Sequence, residues 1–116
     1  MRVKRTVELL QGTLDILVLK ALAWGPMHGY GMARWIQQVT EDALRLEEGT
    51  LYPALYRLEN KRLIEAQWAT TENNRRAKYY RITAAGRKQL TAETAAWMRL
   101  VDVVGKVLSA PRPQAG

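Results

Sequence analysis

The side chains able to do chemistry in this chain are basic, aromatic and hydroxylic, and they gather in one stretch. Thr50, Tyr52, Pro53, Tyr56, Arg57 and Lys61 come first, and Arg75, Arg76 and Lys78 follow around the polar run Glu72-Asn73-Asn74. Leu51, Leu55 and Leu58, with Ala54, recur at helical spacing and must face a core. That geometry sends Thr50, Tyr52, Pro53, Tyr56 and Arg57 toward solvent or its edge. The major groove of B-DNA admits a helix, and a helix N-terminus offers free N–H groups to phosphates. Arg and Lys on a neighbouring hairpin reach the backbone or the minor groove. The chemistry expected here is the gripping of double-stranded DNA.

Charge agrees with that expectation. The chain has 116 residues and a formal net charge of +7, with a sequence pI of about 10.1. Between residues 50 and 90 there are nine bases and three acids, so +6 of the +7 lies on this stretch. A soluble chain this basic tends toward polyanions, nucleic acid first and an anionic membrane surface second.

Catalytic chemistry finds little support. Cysteine is absent and His28 is the single histidine, which excludes disulfides, thiolate sites and multi-histidine metal sites. There are no paired carboxylates at suggestive spacing, no nucleophile motif and no phosphate loop. Asp15 and Glu59 sit in amphipathic helices, where they face solvent or cap charges. Neither an enzyme nor a cofactor or metal is expected. The apolar run 14–24 is broken by Lys20 and too short to cross a bilayer. With no targeting segment in view, the expectation is a cytoplasmic protein with no membrane partner.

The elements that position these residues are read from periodicity. Helix 1 is expected over 11–24, with Leu14, Leu17, Val18, Ala21 and Leu22 on one face and Ile16, Leu19 and Ala23 on a second. A helix apolar on two sides must be covered twice, by its own core and by another helix or subunit. A turn follows at 24–29, then helix 2 over 30–39. Residues 40–48 form a polar connection with a short extended piece at 44–46. Helix 3 spans 50–61, and Pro53, tolerated in a first turn, sets its start at Gly49 or Thr50. Ile64, Ala66 and Trp68, alternating with Glu65 and Gln67, predict a strand over 63–69, and Tyr80 and Ile82, alternating with Tyr79 and Arg81, predict one over 78–83, joined by a long basic tip over 70–77. Thr83 caps helix 4, expected over 84–108. There Leu90, Trp97, Val101, Val104 and Leu108 form one stripe, and Ala96, Leu100, Val103 and Val107 another. Pro111 and Pro113 end it in a disordered tail, 111–116.

The fold class is therefore mainly α with a small β-hairpin: a winged helix-turn-helix over 1–83, including the N-terminal helix, plus a dimerisation helix over 84–110. Trp97, Leu100, Val101, Val104 and Leu108, with Leu19, are the expected dimer interface. Trp97 near a two-fold axis could also stack a flat ligand. Trp24 and Trp35 are expected in the core. His28 is expected to serve the start of helix 2, and Tyr30 either binds phosphate or fills the core.

Four blocks occur in a specific order: Gly12-Thr13-Leu14-Asp15; Gly25-Pro26-Met27-His28-Gly29-Tyr30-Gly31; Gly49-Thr50-Leu51-Tyr52-Pro53-Ala54-Leu55-Tyr56-Arg57-Leu58-Glu59; and Tyr79-Tyr80-Arg81-Ile82-Thr83-Ala84-Ala85-Gly86. In these blocks the sequence resembles the PadR family of bacterial transcriptional regulators. The resemblance implies a homodimeric winged-helix repressor, often relieved by a small ligand, in the branch with a compact dimerisation region. Lys61-Arg62 stands where many members carry a glycine, which leaves open how the chain turns there and adds basic charge nearby. The function expected is sequence-specific repression from a pseudo-palindromic operator, with two reading helices in successive major grooves about 34–36 Å apart. A small hydrophobic or aromatic effector is a further candidate partner. The alternative is a winged-helix module that binds protein, or coats nucleic acid without sequence preference.

Overall fold

The apolar stripes of three short helices converge on one core in the computed structural model, which describes residues 11–114. The order is α1 (Gln11–Ala21), β1 (Met27–His28), α2 (Gly29–Val39), α3 (Glu48–Asn60), β2 (Ile64–Thr70), β3 (Arg76–Ile82) and α4 (Ala84–Leu108). Leu14, Val18, Leu19 and Leu22 from the first helix and its end meet Met32 of α2 and Leu51, Leu55 and Leu58 of α3. Ile64, Tyr80 and Ile82 close this core from the sheet.

The sheet has three antiparallel strands in the order β1-β3-β2, one strand more than the alternation predicts. β1 is only two residues long, too short for a period, and forms because Met27 and His28 lie against Tyr80 and Tyr79. β2 and β3 pair from Ile64↔Ile82 out to Thr70↔Arg76. The tip is therefore shorter than expected and covers 71–75. Thr71 closes it, since its amide donates to the Arg75 carbonyl at 2.7 Å and its carbonyl accepts from Asn74 at 2.9 Å.

Other differences have plain causes. α1 stops at Ala21, and residues 22–25 turn. Residues 44–46 belong to an irregular connection, from which Leu44 is buried. α3 begins at Glu48, so Pro53 sits in its second turn and leaves the Gly49 carbonyl without its usual amide donor. Trp24, expected in the core, is 80% exposed, and Lys20 Nζ lies 5.2 Å from its ring centroid. Trp35 is partly buried against the core, as expected. Leu19, expected at a dimer interface, is sealed in the core of its own chain.

The end of α3 answers the question of the missing glycine. The Arg62 amide donates to the Glu59 carbonyl at 2.9 Å, and the Leu63 amide to the Leu58 carbonyl at 3.0 Å. This is a Schellman ending, whose first residue past the cap must be left-handed. Arg62 takes that position with φ of 61°.

Thr83 caps α4, accepting from the Gly86 amide at 3.0 Å while its hydroxyl donates toward the Arg62 and Leu63 carbonyls. Gly86 is the only fully buried residue of α4. A Cβ there would stand 2.1 Å from the Leu63 carbonyl oxygen. That contact fixes α4 on the base of the hairpin. Beyond Thr94 the helix leaves the globule, and every residue of 95–114 is exposed. The expected tail over 111–116 shows no regular structure over 111–114; residues 115–116, like 1–10, lie outside the described residues.

Two substitutions test these contacts. Gly86→Ala should cost about 2 kcal/mol of stability through overpacking, and Arg62→Gly should add about 0.5 kcal/mol by relieving the left-handed arginine. Urea unfolding midpoints check both, and an unshifted Gly86→Ala midpoint contradicts the packing described.

Candidate nucleic-acid interface

The leucine face of α3 settles which side of that helix stays free. Leu51, Ala54, Leu55 and Leu58 are buried, and Thr50, Tyr52, Pro53 and Tyr56 are exposed, as the spacing predicts. Arg57 does not share that exposure. Its Nη2 donates to Asp15 Oδ1 of α1 at 2.9 Å, and its Nε is buried with no hydrogen-bond partner. The two side chains are only 28% and 17% exposed, so the pair ties α3 to α1 away from bulk water. Periodicity alone expects Asp15 to face solvent or cap charges, because its partner lies 42 positions away. Lys61, at the C-cap of α3, is turned toward a groove of about 420 Å³ shared with Asp15, Gln89 and Glu93.

The hairpin stands across from the other flank of α3. Between them runs a groove of about 900 Å³ lined by His28, Gly29, Tyr30, Tyr52, Trp68, Thr71, Asn73, Arg75, Arg76, Ala77, Lys78 and Tyr80. It brings together Tyr52 and the three wing bases Arg75, Arg76 and Lys78. It does not include Thr50, Pro53, Tyr56, Arg57 or Lys61. Tyr52 is held by a close approach to α2, since a Cβ on Gly29 would lie 2.9 Å from the Tyr52 hydroxyl. The small residue at 29 lets that phenol rest on the backbone at the start of α2.

His28 does serve the start of α2. Its Nδ1 accepts from the Gly31 amide at 2.9 Å, which puts the ring proton on Nε2. The ring stacks near Tyr30 with centroids 6.3 Å apart and meets Tyr79 edge-on at 5.6 Å. Tyr30 is 65% exposed and so lies outside the core. Arg34, one turn on, stands 5.8 Å over the Tyr30 ring, in a second groove of about 550 Å³ between α2 and α3. Local sequence does not decide between the two roles of Tyr30, gives no signal for Arg34, and marks Trp68 only by its strand parity.

The charges of the hairpin divide by face. On the side away from the groove, Arg81 makes a forked contact with Glu65 Oε2 at 2.7 and 3.1 Å. On the groove side Lys78 stands 3.8 Å from Glu59. Among the described residues, Arg75 and Arg76 have no carboxylate partner. Burial, and then the Glu59 charge and Tyr52, raise the Tyr80 phenol above its ordinary pKa, so it stays protonated at the floor of the groove.

The fold recurs in solved relatives, and the family can be named. The family model described as "Transcriptional regulator PadR-like family" matches residues 18–92. The chain belongs to the PadR-like family. A transcriptional regulator of Mycobacterium tuberculosis is 30% identical to it over 110 residues, covering 94% of this chain and 95% of that one. A solved PadR family transcriptional regulator from Eggerthella lenta is 35% identical, with a TM-score of 0.73, covering 87% of this chain and 86% of that one. A PadR family transcription regulator from hypervirulent Clostridium difficile is 33% identical, with a TM-score of 0.72, covering 83% and 98%. This PadR-like protein is thus a transcriptional regulator, not an enzyme, with the winged-helix fold expected from its sequence. No helix of its described residues is long and apolar enough to cross a membrane.

The ion pairs should differ in worth. Asp15→Ala strands a half-buried guanidinium and should cost about 2 kcal/mol, whereas Glu65→Ala, which breaks an exposed pair, should cost less than about 1 kcal/mol. Chemical unfolding of the two variants checks the order; equal losses contradict it.

Proposed function

We propose that this regulator is a homodimeric repressor that binds a pseudo-palindromic DNA operator through residues 1–83 and dimerises through residues 84–110. The observation carrying the DNA reading is the groove in which Arg75 and Arg76, with no carboxylate partners among the described residues, face Tyr52 of α3. In this reading the exposed flank of α3, with Thr50, Tyr52, Pro53 and Tyr56, enters a major groove. The hairpin lies along the adjacent backbone, where Arg75, Arg76 and Lys78 meet phosphates. Arg57 would join only by leaving Asp15, and Lys61 only by swinging out from the α1 side.

Dimerisation rests on α4. Trp97, Leu100, Val101 and Val104 are 41–52% exposed, and Leu108 is 80% exposed. With Val103 and Val107 they cover roughly 160° of the helix surface at 3.6 residues per turn. One facing helix buries a narrower seam, so this arc calls for contacts from two elements of a partner. Two copies would set two reading units one DNA turn apart. A small planar effector stacking on paired Trp97 rings would alter their spacing or tilt. The cell compartment that fits a DNA-bound regulator is the cytoplasm.

A gel shift with the duplex immediately upstream of its own gene tests specificity. Binding there should exceed binding to a scrambled duplex by on the order of 10³-fold. Equal affinity for both favours the non-specific coating module, and no salt-dependent binding to either favours a protein-binding module. Arg75→Ala should lower the salt slope by about one unit, checked by repeating the titration across ionic strengths.

A further inference from the structure

The sheet face that enters the core continues past it. Ile64 and Ile82 are buried at its base and Tyr80 is buried next, but Trp68, at the same parity two steps farther out, is 56% exposed. Lys78 is the register partner of Trp68, and Arg76 lies on the diagonal next to it. The Arg76 guanidinium carbon stands 5.0 Å from the Trp68 ring centroid. The indole therefore lies more than half exposed in the groove wall, with a cation seated over one face.

We infer that Trp68 is a DNA-contacting and positioning residue of the wing, which packs on a deoxyribose of the strand lying in the groove and holds Arg76 toward the neighbouring phosphate. The inference rests on the DNA reading proposed above. A nucleic-acid backbone alternates a charged phosphate with an apolar sugar face. The groove wall alternates in the same way, with Arg75, Arg76 and Lys78 among the rings of Trp68 and Tyr52. An exposed arginine surrenders side-chain freedom when it grips a phosphate. Stacking on an indole restricts that freedom beforehand and leaves the N–H edges of the fork free to donate. On the opposite face of the hairpin Arg81 is held by Glu65, so its fork is already engaged. Contact with sugar and phosphate carries no base code, so the contribution should be the same on any duplex.

The test is a double-mutant cycle between Trp68→Leu and Arg76→Gln in the full-length chain, measured on a scrambled duplex and on the duplex upstream of the gene. Trp68→Leu should weaken both by about threefold to tenfold. Arg76→Gln alone should lower the salt slope by about one unit. In the Trp68→Leu background the same change should lower it by clearly less, and Trp68→Phe should restore part of the loss. Far-ultraviolet circular dichroism and thermal midpoints show which variants are folded. A second measurement leaves the residue intact: in a Trp24→Phe, Trp35→Phe chain, the Trp68 share of the fluorescence, taken as the difference from the same chain carrying Trp68→Leu, should become shielded from acrylamide when duplex is added. Strictly additive salt slopes, or a Trp68 signal equally accessible with and without bound duplex, overturn the inference. A wild-type chain that binds neither duplex overturns the DNA reading itself, a result distinct from a wild type that binds with Trp68 indifferent.

Discussion

The burial of one face of α3 governs what the rest of the molecule can do. Leu51, Ala54, Leu55 and Leu58 leave water together against α1, α2 and the hairpin, and each large apolar side chain so buried contributes about 1.5–3 kcal/mol. That burial fixes the roll of the helix about its axis. Tyr52 is then directed toward Gly29 and the wing, Tyr56 toward open solvent, and Arg57 back toward Asp15. The exposed flank, the proposed reading surface, is what remains after the core has taken its share. A regulator cannot move that flank without disturbing either the leucine face or the Arg57–Asp15 tie.

The same tie joins the two halves of the proposed mechanism. Asp15 belongs to α1, and α1 packs against α4 as well as α3. α4 is fixed to the globule at its start, by the Thr83 cap and the Gly86 contact, and free beyond Thr94. A partner seated on the free half would therefore press on the same body of structure that orients α3. This offers a physical route from the dimer contact to the DNA face without any long hinge.

Much of this was legible in the chain, and the failures share a cause. Helical and strand periods report burial, so the leucine face of α3, the Ile64–Ala66–Trp68 alternation and the limits of α4 could be read directly. Thr83 and His28 could be read as caps because capping is local. The two-residue β1, the Arg57–Asp15 pair and the Gly29–Tyr52 approach depend on residues far apart in sequence, and no local period encodes them. Trp24 shows that residue type does not fix depth, because the turn at 22–25 carries it outward. Trp68 shows the converse. Its parity marked the core face correctly, but the core ends before the strand does. Leu19 lies on the second stripe of α1, yet one body of core covers both it and the first stripe's Leu14, Val18 and Leu22.

In the proposed mechanism the uncovered face of α4 makes two winged units act as one. Sedimentation equilibrium at micromolar concentration, with and without the duplex upstream of the gene, probes that dependence. The mass of two chains is expected in both cases, with two chains bound per duplex. A stable monomer, or one chain saturating the duplex, would contradict it.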